Sequence, residues 1–161
     1  ADSGGPVTCL SGSRWVQAGV LSFAIGCGRA SGPGLATALT EHADWLQKHL
    51  GPEATFVTSE TAPPPGLEDG KCYGERAANR DPHQEAESWL AVTPNGHRGR
   101  GARLALHGAF VSMGQGRDLA LLSLETPLPI GPELRPLCLP YRDHKRPPGT
   151  RCWALMGSNG E

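Results

Sequence analysis

The sequence predicts a mostly β chain with one helix, and three observations carry that prediction. It holds 22 glycines and 15 prolines in 161 residues, a composition rich in chain reversals. Helical periodicity shows clearly in one stretch, residues 40–50. Elsewhere the apolar residues fall in short runs, Trp15–Phe23, Trp89–Val92 and Leu119–Leu124, separated by turn-forming residues. With 15 basic against 16 acidic residues the chain is nearly neutral, which gives no reason to expect a nucleic-acid or anionic-membrane partner. No apolar run approaches the roughly 20 residues that a membrane-spanning helix needs.

Taken in order, the chain opens on Ala1-Asp2-Ser3-Gly4-Gly5-Pro6, followed by Val7-Thr8-Cys9. A serine in a tight glycine-rich bend exposes its hydroxyl and lets backbone N–H groups approach whatever that hydroxyl attacks, the way a nucleophile is presented; the same residue types also make an ordinary surface turn. Trp15–Phe23 reads as a buried strand, with Val16, Val20 and Phe23 suited to a pleated surface, and 26–34 reads as loop. Over Thr40–Leu50 the spacing of Leu39, Ala43, Leu46 and Leu50 predicts the helix. Thr40 is placed to cap it, Glu41 lies in its first turn, Lys48 and His49 suit its C-terminal dipole, and Gly51-Pro52 stops it. Residues 51–71 lack periodicity and contain Pro63-Pro64-Pro65, the mark of a semi-rigid linker. After it the chain starts again, with strands expected at Trp89–Val92, Arg103–His107 and Asp118–Leu124 and a turn at Pro94-Asn95-Gly96.

Five separated motifs of the first stretch agree in order with one family. The D-S-G-G-P bend, Trp15-Val16-Gln17-Ala18-Gly19-Val20-Leu21-Ser22-Phe23, Gly26-Cys27-Gly28, Gly32-Pro33-Gly34 with Thr37, and His42-Ala43-Asp44-Trp45 resemble the C-terminal part of a trypsin-like serine protease. Asp118-Leu119-Ala120-Leu121-Leu122-Ser123-Leu124, Arg135-Pro136-Leu137-Cys138-Leu139-Pro140 and Gly149-Thr150-Arg151-Cys152-Trp153-Ala154 resemble the N-terminal part of the same family. The resemblance implies parts of double β-barrel domains ending in one α-helix at about 40–50. It also implies a tandem arrangement of the polyserase type: residues 1–50 end one unit, 51–71 link, and 72–161 are a truncated start of a second. The chain, with no initiator Met, is then expected to be a piece of a longer secreted protein.

The same resemblance assigns roles. Ser3 would be the nucleophile, the N–H groups of Ala1 and Ser3 the oxyanion hole, and Ser22, Phe23 and Ala24 the edge that pairs with a substrate backbone, with Gly26 at the wall of the specificity pocket. Ala1 and Ala24 stand where the family has glycine, and Ala36 where it has tyrosine. Asp118 falls where the family has the aspartate that orients the catalytic histidine, but no histidine here lies in an A-A-H-C segment, so Asp118 is expected as a relic position. His107 matches a surface segment and His42 a structural helix position.

Five cysteines leave at least one partner elsewhere if the protein is extracellular, or are buried thiols if it is not. The resemblance pairs Cys72 with Cys138 and leaves Cys9, Cys27 and Cys152 without partners in this chain. No metal-ligand spacing and no nucleotide loop is present, so no cofactor is expected. The expected activity is serine-type endopeptidase in the longer protein, acting on protein or peptide substrates and open to protease inhibitors. Two other readings are a catalytically inactive binding module and two half-domains that complement each other into one body.

Overall fold

The computed structural model describes residues 3–24, 34–52, 54–58, 77–78, 86–93, 95–112 and 116–154. Mostly β structure with one short helix is what it shows, the class expected of part of a trypsin-like barrel fold. Strand β1 (Pro6–Ser11) turns through Gly12-Ser13 into β2 (Arg14–Ala24), and β3 (Gly34–Ala38) returns antiparallel along β2. The helix α1 spans Ala43–Leu50, two strand residues follow at β4 (Phe56–Val57), and β5 is Ala77–Ala78. The second half adds β6 (Leu90–Val92), β7 (Arg98–Leu106), β8 (Ala120–Leu124), β9 (Leu139–Pro140) and β10 (Cys152–Ala154).

Sheet topology joins the two stretches that the motif order separates. One four-stranded sheet runs β10-β1-β2-β3, so a strand from the far end of the chain lies beside the first strand. A second runs β5-β8-β7-β6, and β4 pairs in parallel with β9. The core is shared in the same way. Val20, Leu39 and Leu46 from the first half meet Leu119, Leu121 and Leu139 from the second, all six buried. Burying an aliphatic side chain of this size stabilises by roughly 1.5–3 kcal/mol, so neither half keeps its apolar face dry without the other. Cys138 ties the halves further, its N–H donating to the Trp15 carbonyl at 3.1 Å and its own carbonyl accepting from Gln17 N–H at 2.9 Å.

Several local expectations change. The helix is shorter than Thr40–Leu50, because Leu39–His42 form a 3₁₀ turn leading into α1. Thr40 does not cap it: the residue sits inside that turn, and neither helical segment has a side-chain cap. Gly51 does end it, at φ 77°, a conformation costly for other residues, and donates its N–H to the Gln47 carbonyl at 3.1 Å. Within the expected linker, Phe56 and Val57 instead form β4, with Val57 buried against Val16 and Cys138; this apolar pair precedes the proline run, which lies outside the described residues.

The cysteines differ too. Cys9 and Cys152, both expected to lack partners here, form a disulfide across the β1–β10 register with Cα atoms 4.1 Å apart. The expectation placed the two cysteines in separate units; the shared sheet puts them on facing strands. Cys138 is also disulfide-bonded, and its expected partner, Cys72, lies outside the described residues, as does Cys27.

Candidate active site

Ser3 begins the described chain in a tight turn, with Gly4 at φ 88°. Two backbone hydrogen bonds pin that turn to β2: Gly4 N–H to the Leu21 carbonyl at 2.7 Å and Leu21 N–H to the Gly5 carbonyl at 2.8 Å. The exposed Ser3 is therefore held beside Ser22, and its hydroxyl donates to the Ser22 carbonyl at 3.1 Å.

Ser22 itself sits at a bulge. Leu21 pairs with Ala36 and Phe23 with Leu35, so β2 carries one residue more than β3 at this point. A bulge re-aims side chains that strict alternation would fix. Here it leaves Ser22 buried and Phe23 exposed, and the Ser22 hydroxyl donates to Asp118 Oδ2 at 2.7 Å. Phe23 and its cross-strand partner Leu35 form an exposed apolar patch beside this bulge.

Asp118 is placed by a turn of its own. Gly116 and Arg117 both have positive φ, 76° and 62°, and Arg117 is the one non-glycine residue so held among the described residues. Such backbone is uncommon outside glycine and concentrates at functional positions. The chain then enters β8 with Asp118 buried to 1% exposure, its carbonyl accepting from the Thr37 hydroxyl at 3.1 Å. Oδ2 is satisfied by Ser22, whereas Oδ1 is buried without a hydrogen-bond partner among the described residues. A buried carboxylate oxygen left unpaired is costly, on the order of 1–3 kcal/mol, and marks a place where a donor fits.

Ser3, Ser22 and Asp118 are thus brought together, although Ser3 and Asp118 were expected in different units. Thr37 is a member that sequence reading quoted without a role; its signal was a lone hydroxyl on an otherwise aliphatic strand. The backbone of Ala24 belongs to β2, while Ala1 and Gly26 lie outside the described residues.

Among the described residues no histidine bonds to Ser3 or Asp118. His42 and His107 meet edge to face at 4.8 Å, and Trp45 packs against His107 at 5.1 Å and His49 at 4.4 Å. Burial, then the neighbouring His107 and Arg117, holds His42 below the usual imidazole range, although Glu41 works against this. His107 is lowered by burial, Arg117 and His49. His144 is lowered mainly by burial and by Arg146, against the opposing pull of a Thr58 backbone hydrogen bond and Asp143. Among the described residues no cluster of three or more His, Cys, Asp or Glu could hold a metal ion, and no helix is long and apolar enough to cross a membrane.

Comparison with known proteins gives the same direction as the motifs. The trypsin family model matches residues 1–46 and 81–160. Human testisin is 47% identical over 47 residues, which is 29% of this chain and 15% of testisin. The chain therefore spans a small part of the length of this relative. No solved structure matches.

Proposed function

The chain belongs to the trypsin family, and we propose that it carries the nucleophile of a serine-type endopeptidase. The observation that carries this reading is that Ser22 holds both residues, its backbone carbonyl accepting from the exposed Ser3 hydroxyl on its glycine turn and its own hydroxyl donating to the buried Asp118 side chain. In the reaction the Ser3 Oγ attacks the scissile carbonyl carbon. A C–O bond forms, the carbonyl oxygen becomes an oxyanion held by the N–H groups of Ala1 and Ser3, and the serine proton passes to a base. Collapse breaks the C–N bond, the amine leaves with that proton, and water then hydrolyses the acyl-serine ester. The Ser22, Phe23 and Ala24 edge would align the substrate backbone, with the Phe23–Leu35 patch beside it for apolar side chains.

Among the described residues no base reaches the Ser3 hydroxyl. Motif order, with the family's C-terminal motifs ahead of its N-terminal ones, supports a tandem parent of the polyserase type resembling polyserase-3. In that parent, residues 1–50 close one unit, 51–71 link, and 72–161 begin a shortened second. The shared sheet and core support the further reading that these two pieces complement each other within one chain. The Cys9–Cys152 disulfide favours an oxidising compartment, hence an extracellular protein that meets protein substrates and inhibitors.

A second reading, an inactive protease-like binding module, is favoured by one observation: the Ser3 hydroxyl points at a carbonyl oxygen and not at a nitrogen base. Fluorophosphonate labelling and turnover of a fluorogenic peptide panel test both. We expect this chain to give neither, because a serine hydroxyl without a base stays protonated near neutral pH. Extending the chain upstream to include the motif histidine should restore labelling that Ser3→Ala removes, and an extended chain that stays unlabelled would establish the binding module.

A further inference from the structure

The β6–β7 hairpin has two faces of opposite character. Its inner face is stripped of side chains at Gly99 and Gly101, both buried. A Cβ at Gly99 would stand 2.9 Å from a Leu124 methyl carbon, and one at Gly101 would run into the Ala86 carbonyl. The ribbon therefore lies flush on β8 and on the turn Ala86–Ser88.

The outer face is correspondingly full. Leu90 pairs with Arg100 and Val92 with Arg98, so these four side chains share one face. Leu90 and Val92 are 53% and 51% exposed, and both arginines are exposed. Arg103 continues the basic row past a register shift between Gly101 and Arg103. Among the described residues none of the three arginines has a carboxylate partner within 4.0 Å, although Glu125 N–H bonds to the Arg100 carbonyl. Three unpaired guanidinium groups beside two half-exposed aliphatic side chains are not needed by the fold. Among the described residues β6 is also the outer strand of its sheet.

We propose that this face docks an acidic, apolar segment of a partner protein in extended conformation. The geometry sets the match. Side chains two apart on a strand are roughly 6.8 Å apart, and facing rows on paired strands lie about 5 Å apart. An extended peptide repeats with the same two-residue spacing and sends alternate side chains to opposite sides. Lying along the ribbon, it places carboxylates over Arg98 and Arg100 and aliphatic groups over Val92 and Leu90. Arginine favours this pairing because its planar fork binds a carboxylate with two hydrogen bonds. The aliphatic row distinguishes such a segment from a sulfated glycan, which would use the arginines and leave Leu90 and Val92 wet. The surface lies toward the far end of β7 from Asp118, since Leu106 at the near end pairs with Ala120.

Fluorescence anisotropy of the whole chain with a labelled eight-residue peptide alternating glutamate and isoleucine tests this. The expected result is saturable binding that weakens as salt rises and falls at least about tenfold in Arg98→Glu with Arg100→Glu, as like charges replace complementary ones. A glutamine–isoleucine peptide should lose a similar factor, and Leu90→Ser with Val92→Thr should weaken binding several-fold. Near-UV circular dichroism confirms that the variants are folded; if the charge reversal unfolds the chain, Arg98→Gln with Arg100→Gln and the wild-type salt titration decide in its place. Binding that ignores the arginines, binding unchanged by the Leu90 and Val92 substitutions, or capture of a heparin oligosaccharide in preference to the peptide would overturn the proposal.

Discussion

The Ser22 hydroxyl donates to Asp118 Oδ2 at 2.7 Å across 96 positions of sequence, and neither residue is exposed. This bond joins β2, against which the glycine turn of Ser3 is pinned, to the segment that follows Arg117, so the candidate site lies where the two halves meet. Removing the Ser22 hydroxyl strands a buried carboxylate with both oxygens unpaired.

Ser22→Ala should therefore destabilise the chain by about 1–3 kcal/mol, read as a lower urea midpoint at unchanged slope. In the Ser22→Ala background, Asp118→Asn should cost less than it does alone, since the charge left unpaired has gone. A coupling free energy of roughly 0.5–3 kcal/mol is expected from the double-mutant cycle. Additive effects would show that the bond contributes nothing to stability.

Which parts were legible in the sequence follows from the range of the interactions that fix them. The helix was readable because Ala43, Leu46 and Leu50 signal each other within two turns, and β8 because the leucines of 119–124 form one apolar run. The turn at Ser3 was readable from its glycines. The hydrogen bond between Ser22 and Asp118 was not, since family likeness placed the two residues in separate units and no local pattern encodes a contact 96 positions away. The pairing of Phe56 with Leu139 was hidden for the same reason: a two-residue parallel pair has no periodicity to detect. Thr40 misled because its local chemistry fits a cap, while the chain leaving β3 folds it into a 3₁₀ turn.

Acidification should weaken the packing of α1 on the second half. His42 and His107 meet edge to face at 4.8 Å beside Trp45, and both are held below the ordinary imidazole value of 6.5 by burial first, with Arg117 adding to it. Folded values below the unfolded one mean that the unfolded chain binds more protons in this window. Stability is then fully present above about 6.5 and declines as pH falls below it toward the folded values. Urea midpoints between pH 8 and pH 5 measure the slope. His107→Phe, which keeps a ring against Trp45, should flatten it; an unchanged slope would place the titration elsewhere, at His144 for example, which burial also lowers.

Gly101→Ala should be poorly tolerated although it adds only one methyl group. The new carbon would meet the Ala86 carbonyl oxygen and would lie 2.9 Å from a Leu122 methyl carbon, and backbone cannot rotate aside as a long side chain can. Overpacking of this kind costs about 1–3 kcal/mol. Gly108→Ala is the control, because a Cβ there meets nothing within 4 Å. Thermal midpoints of the two variants should separate clearly, and equal midpoints would mean that the turn Ala86–Ser88 can lift away from β7 freely.

Cys9 and Cys152 should be recovered as one disulfide-linked peptide pair from non-reducing digestion of the oxidised chain. The two residues face each other in the β1–β10 register and the bond closes a sequence separation of 143. In the same sheet Trp15 of β2 and Trp153 of β10 meet edge to face at 4.9 Å. The bond acts chiefly by restricting the unfolded chain, and losing one of this kind typically costs 2–5 kcal/mol, roughly. Cys152→Ser should lower the urea midpoint accordingly and free the Cys9 thiol, whereas Trp153→Ala, which removes only a half-exposed ring contact, should cost less. The pairing proposed for Cys138 is read from the same digest: a peptide joining Cys138 to Cys72 supports the family's scheme for the second stretch, and one joining it to Cys27 would tie Cys138 to the first stretch and exclude Cys72. Recovery of Cys9 and Cys152 as separate free thiols in chain that is folded by circular dichroism would mean that β10 does not sit beside β1, and the shared sheet would have to be given up.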